Sequence, residues 1–117
     1  MREPRTVTVY LEDMLEATEK ALLFTAGLDR GRFLEDEEKI LAISRLLEII
    51  GEAAKNVPDT VRAIHPDIPW RKIAGTRDIL IHAYFHVDAE RLWKTVEEDL
   101  PPLRSALRRI LSGDVKA

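Results

Sequence analysis

The chain contains no cysteine, and this absence excludes several kinds of site at once. Disulfides, thiolate zinc sites, iron–sulfur clusters and thiol nucleophiles all require that residue. Glycine and proline are scarce, at five and six among 117 residues, and aromatic residues make up 6%. Strand-type alternation is hard to find, whereas leucine, isoleucine, alanine, glutamate and arginine are plentiful, which favours helices. We expect one all-α domain over residues 1–117.

Long apolar runs are also missing. No run approaches the roughly 20 residues of a membrane span, and residues 1–15 lack the apolar core of a secretory signal. Hydrophobic residues make up 45% of the chain and charged residues 33%, which is typical of a globular rather than a disordered protein. We therefore expect a cytoplasmic protein with no membrane partner.

An overall excess of basic charge is absent, because the formal net charge is −3. The molecule as a whole therefore does not attract nucleic acid. The charge is unevenly distributed, with a net of −5 over residues 1–60 and +2 over residues 61–117. All three histidines, His65, His82 and His86, also fall in the second part. We expect the functional chemistry to lie there.

Hydrophobic periodicity predicts four main helices. The first spans about 9–27 and the second begins at 36 or 37 and ends near 56–58. The third runs from Trp70 to residue 83 or 85, and the fourth follows Asp88 as its N-cap. The second carries an apolar stripe wide enough to contact more than one neighbour. Its positions are Ile40, Ile43, Leu46, Leu47, Ile49, Ile50, Ala53, Ala54 and Val57.

The connections are predicted from local signals. Residues 28–37 are polar and are expected to form a loop. A short helix is expected over 59–64, with Asp59 as its cap. Pro101-Pro102 must kink or restart the fourth helix, since neither residue can donate the helical hydrogen bond. Together these elements predict an antiparallel bundle of four main helices with short connections.

The segment from Arg77 to Tyr84 combines residue types that suit phosphate chemistry. On a helix Arg77 and Tyr84 share a face, and Asp78 and His82 are i, i+4 neighbours. Arg77 and His82 lie about 140° apart around the axis, so that a phosphate lying across the helix end could meet both. Arginine matches phosphate oxygens with a planar fork, and histidine titrates near neutrality.

These residue types suit cleavage of RNA without a metal ion or cofactor. A base removes the proton of the 2′-hydroxyl, a cation stabilises the phosphoryl oxygens, and an acid protonates the leaving 5′-oxygen. His82 can act as the base or the acid, and Arg77 can act as the cation. Asp78 can orient His82. One histidine cannot easily stand on both sides of an in-line displacement. A homodimer that joins two copies of His82 would supply the second one.

Other interpretations of these residues stay open. An Asp78–His82 pair is also common as a surface feature. A metal site could be formed by Asp78, His82 and His86, which are spaced i, i+4, i+8. Ligands on three successive turns of one helix, however, converge poorly on a single ion. Two tryptophans, at positions 70 and 93, are expected to be core anchors rather than base-stacking platforms. Three basic residues either extend a phosphate-binding surface or form a solvated face. They are Arg62, Arg71 and Lys72.

Residues 68–85, IPWRKIAGTRDILIHAYF, followed by Val87-Asp88 and Trp93, closely resemble the HepT-like branch of the HEPN domains. The signature of that family is Arg-x4-His-x-Tyr, which corresponds here to Arg77, His82 and Tyr84. The resemblance covers essentially the whole chain. Two positions depart from the usual pattern: Asp78 stands where the family often has asparagine, and His86 where it often has glycine. His86 could add a ligand to the cleft, and Asp78 could either help His82 or weaken RNA binding.

The resemblance implies a largely antiparallel bundle of four to five helices that dimerises and places two Arg-x4-His motifs in one cleft. It also implies a metal-independent endoribonuclease toxin whose partner is a MntA-like minimal nucleotidyltransferase antitoxin. That antitoxin would attach AMP to Tyr84 and silence the nuclease. A non-catalytic module that binds nucleotides or pairs with a nucleotidyltransferase is the alternative, and a purely structural assembly protein is a second one.

Overall fold

The computed structural model describes residues 6–82 and 88–113, with side chains described for 6–76 and 88–113. Within those ranges every regular element is helical, and no strand occurs. The all-α prediction is therefore confirmed. The α-helices are α1 (Val7–Thr25), α2 (Arg30–Leu34), α3 (Glu37–Lys55), α4 (Asp59–Ile64), α5 (Trp70–His82), α6 (Ala89–Lys94) and α7 (Leu100–Ser112), and a π-helical turn (Thr95–Asp99) joins α6 to α7.

Local signals mark the ends of the long helices. The Asp36 carboxylate accepts a hydrogen bond from the Lys39 N–H at 3.0 Å and caps α3. The acidic run at 35–38 is therefore a helix N-terminal feature, as expected from the dipole. α1 begins and ends about two residues earlier than predicted, and Gly27 follows it with a φ of +82°. Glycine adopts that left-handed conformation without a steric penalty.

α3 lies at the centre of the bundle and packs against both α1 and α5, while α7 packs against α1. Its wide apolar stripe thus covers two neighbours, as predicted. Ile43 and Ala54 are fully buried on α3, Met14 on α1 and Leu107 on α7. Among the described helices, none is long and apolar enough to cross a membrane.

The prediction of a loop over 28–37 is wrong, because the five residues of α2 lie within it. The Asp29 carboxylate accepts from the Arg32 N–H at 2.8 Å and caps this helix. Phe33 on α2 is fully buried, and its ring centroid lies 5.3 Å from that of Trp93. Two adjacent apolar side chains in a single turn produce no detectable period, so only the tertiary structure reveals this helix.

The predicted cap of α4 is also wrong. The helix spans 59–64 as expected, but Pro58 is the N-cap and Asp59 is the first helical residue. Pro58 is extended, with a φ of −64° and a ψ of 152°, and no side chain caps this helix. The fixed φ of proline suits this position, and the cap lies one residue earlier than predicted.

The paired prolines restart the last helix, as predicted. Pro101 and Pro102 occupy the first turn of α7, where missing N–H groups cost nothing. Just before them, the Leu100 N–H bonds to the Thr95 carbonyl five residues back, which is the π-helical pattern. The wider turn thus lies where the prolines interrupt regular hydrogen bonding.

Candidate active-site helix and its surroundings

The candidate residues Arg77, Asp78 and His82 all lie on α5. Arg77 and His82 are five positions apart, so their backbones are separated by about 7.5 Å along the helix axis. The side chains at 77–82 lie outside the described part of the structure, as do residues Tyr84 and His86. The Asp78–His82 hydrogen bond, the shared face of Arg77 and Tyr84 and the roles of all five residues therefore stay predictions.

The start of α5 is fixed by Trp70. Its indole Nε1 donates to the His65 carbonyl at 3.0 Å, and the side chain is 7% exposed. Ile68, just before the helix, is buried as well. Trp70 is thus a core anchor, as expected, and it holds the connection from α4 against the helix that carries the motif.

The first turns of α5 also close a small apolar cavity against α3 and α7. Ile73 and Thr76 line it from α5, Ile50 from α3 and Leu103 from α7. Ile73 is buried, and the Thr76 hydroxyl donates to the Lys72 carbonyl at 3.1 Å within the same helix. The described half of α5 is therefore packed on one side and open to solvent at Arg71.

Arg62 forms hydrogen bonds to backbone carbonyls at the end of α3. Its Nη2 donates to the Ala54 carbonyl at 2.8 Å, and its Nε donates to the Val57 carbonyl at 2.9 Å. The Ala54 carbonyl lies in the last turn of α3 and also accepts from the N–H groups of Asn56 and Val57, while the Val57 carbonyl lies two residues beyond the helix. A guanidinium at that end adds a donor to both carbonyls and complements the helix dipole. The alternative in which Arg62 extends an RNA-binding surface stays open beside this observed role.

Lys72 makes a contact that the sequence pattern did not indicate. Its Nζ lies 3.1 Å from Oδ2 of Asp99, which is on the π-helical turn. The Lys72 side chain is 65% exposed and that of Asp99 28% exposed. Arg71, the other basic candidate on this helix, is exposed. Both residues thus remain accessible to a ligand from solvent.

The chain on the far side of the motif is anchored by α2 and α6. Asp88 caps α6 by accepting from the Arg91 N–H at 3.2 Å, as predicted. Trp93 is buried against Phe33, and Arg30 Nη2 lies 2.7 Å from Glu90 Oε1. Packed elements therefore lie on both sides of the motif along the chain. Among the described residues, no group of three histidine or acidic side chains could hold a metal ion. The side chains at 78, 82 and 86 lie outside those residues.

Comparison with protein families identifies the chain. The family model described as "Ribonuclease HepT-like" matches residues 14–110. The chain belongs to the ribonuclease HepT-like family. The motif helix, its Trp70 anchor and the Asp88-capped helix all lie within the matched range.

Individual relatives agree with this assignment. A protein named "Probable ribonuclease HepT" from Thermococcus cleftensis is 50% identical over 101 residues, which cover 86% of this chain and 92% of the relative. A candidate RNase from Caldanaerobacter subterraneus subsp. tengcongensis is 40% identical over 114 residues, or 97% of this chain and 99% of that one. Another, from Methanocaldococcus jannaschii, is 39% identical over 100 residues, or 86% and 92%. No solved structure matches this chain significantly.

Proposed function

We propose that this HepT-like protein is a metal-independent endoribonuclease toxin that cleaves RNA by attack of the 2′-hydroxyl on the adjacent phosphorus. One observation carries the proposal. A chain of the ribonuclease HepT-like family holds the complete Arg77-x4-His82-x-Tyr84 signature, and its first two members lie on the single helix α5. Relatives that are 39–50% identical carry ribonuclease names, which supports RNA as the substrate.

In this mechanism His82 takes the proton of the 2′-hydroxyl as the oxygen attacks phosphorus. Arg77 stabilises the charge that gathers on the phosphoryl oxygens, because its planar guanidinium is always protonated. The bond to the 5′-oxygen breaks, and a second acid protonates that oxygen as it leaves. The products are a 2′,3′-cyclic phosphate and a 5′-hydroxyl. Asp78 orients His82 through the i, i+4 spacing.

The second acid would come from another copy of the chain. Base and acid stand on opposite sides of an in-line displacement, and the motif contains one histidine. A two-fold axis that brings two copies of His82 together would place one on each side. The active unit is accordingly proposed to be a homodimer.

Control of the nuclease is assigned to Tyr84. A MntA-like nucleotidyltransferase antitoxin would transfer AMP from ATP to the Tyr84 hydroxyl and release pyrophosphate. On a continued helix Tyr84 lies two turns from Arg77 on one face. A phosphate attached there would occupy the arginine and repel the substrate phosphate.

The test is cleavage of a mixed RNA pool in EDTA by the wild type and by His82→Ala. His65→Ala is the matched control, since His65 contributes its backbone carbonyl, rather than its ring, to the Trp70 contact. We expect cleavage by the wild type and the control but not by His82→Ala, with 2′,3′-cyclic phosphate ends. Intact mass first establishes that the protein carries no AMP. Unmodified wild type that cleaves no RNA would refute the nuclease proposal and favour the nucleotide-binding module instead.

A further inference from the structure

The ion pair between Lys72 and Asp99 lies on the helix that carries the motif. Lys72 Nζ is 3.2 Å from Asp99 Oδ1 and 3.1 Å from Oδ2, so one ammonium group faces both carboxylate oxygens. The two residues are 27 positions apart in the chain, and the fold alone brings them together. Lys72 precedes Arg77 by five positions, which is about 7.5 Å of helix rise and about 140° around the axis. The pair therefore places a cation, with a counter-charge against it, on the helix that carries the motif but on a different face from the Arg77 position.

The surroundings of Asp99 show what its carboxylate does. Asp99 immediately precedes α7, yet its side chain makes no capping hydrogen bond to that helix. Lys72 is the partner of the carboxylate among the described residues. The asymmetry in exposure matters as well, because the lysine is open to solvent while Asp99 is about three-quarters covered. A ligand can reach the ammonium group without displacing the backbone.

We propose that Asp99 sets the affinity of this protein for RNA by holding Lys72 away from substrate phosphates. A phosphate that binds the Lys72 ammonium group must displace the Asp99 carboxylate from it. Exposed ion pairs are weak enough for such an exchange. Asp99 thus acts as an internal competitor of the substrate. This inference rests on the proposed function, because it requires RNA phosphates to reach α5.

The experiment measures binding of a single-stranded RNA that is 2′-O-methylated at every nucleotide, by fluorescence anisotropy. This probe lacks the attacking hydroxyl, so that binding is separated from cleavage. For Asp99→Asn we expect about two- to fivefold tighter binding, the range that corresponds to one exposed ion pair. The dependence of log affinity on log salt should steepen by about 0.7, which is the value for one additional phosphate contact on a single strand.

Glu98→Gln is the matched control. It removes the same charge from the neighbouring position of the π-helical turn, where Glu98 is exposed, and leaves the Lys72–Asp99 pair intact. We expect it to change the affinity less than Asp99→Asn does. Lys72→Ala tests whether the tighter binding of Asp99→Asn depends on Lys72. It should weaken RNA binding more in the Asp99→Asn background than in the wild type, so that the double variant loses the increase in affinity. Independent, additive effects of the two substitutions would not produce this coupling.

Each outcome has one meaning. Equal gains from Asp99→Asn and Glu98→Gln would show that net charge alone acts, and would overturn the inference. Lower thermal stability of Asp99→Asn without a gain in affinity would show that the pair is merely structural, and would overturn it as well. Wild type that neither binds the probe nor cleaves unmodified RNA in EDTA would overturn the proposed function, together with the inference that depends on it.

Discussion

Substitution of Arg62 distinguishes a structural role of this side chain from a role in RNA binding. Its guanidinium donates at 2.8 Å and 2.9 Å to the carbonyls of Ala54 and Val57, both in residues that are almost completely buried. Arg62→Ala removes the donor of the Val57 carbonyl, whereas the Ala54 carbonyl keeps the backbone N–H groups of Asn56 and Val57. We expect the protein to be less stable and to keep its affinity for RNA.

The magnitude follows from the contacts. A hydrogen bond to a charged group contributes about 1.5–3 kcal/mol to stability. Arg62 is only half-buried, so water replaces part of the lost pairing. Because the Ala54 carbonyl keeps its backbone donors, Arg62→Ala should lower the free energy of unfolding by about 1–2 kcal/mol. Arg62→Lys should cost about half as much, because an ammonium group cannot reproduce the planar fork that spans both carbonyls.

The assay is urea unfolding followed by helical circular dichroism, with RNA binding measured on the same samples. Arg71→Ala is the matched control, since it removes an equal charge from an exposed position on the adjacent helix. We expect its stability to stay within about 0.5 kcal/mol of the wild type. A stable Arg62→Ala protein with weakened RNA binding would refute the capping argument and assign Arg62 to the RNA surface.

Two further predictions concern the elements around the motif. Phe33→Ala should cost about 3–5 kcal/mol, because it empties a fully buried site beside Trp93, whereas Phe24→Ala at a 36% exposed position should cost much less. Urea unfolding of both variants measures the difference, and equal losses would show that α2 does not anchor the core. Asp36→Ala should cost about 1 kcal/mol through loss of the α3 cap, and Asp36→Asn should restore most of it. Thermal unfolding checks this, and no loss in Asp36→Ala would contradict the cap.

Local patterns in the sequence were sufficient for much of the fold. The apolar stripe of α3 repeats with the helical period over five turns, so its length and its two-sided packing could be predicted. The caps at Asp36 and Asp88 act on N–H groups three residues away, and the restart at Pro101-Pro102 follows from missing N–H groups. Each of these signals depends on neighbours in the chain. The motif that identifies the family is equally local, because its three residues fall within eight positions.

The tertiary structure alone decided the contacts between distant residues. A five-residue helix with one buried ring, α2, is too short to show a period, and Phe33 becomes a core residue only because Trp93 lies against it. The capping role of Arg62 depends on carbonyls up to eight positions away, across the turn from α3 to α4. The pairing of Lys72 with Asp99 depends on the packing of α5 beside the π-helical turn. A sequence period reports which face of a helix is apolar, but it does not report which charged side chains two packed helices bring together.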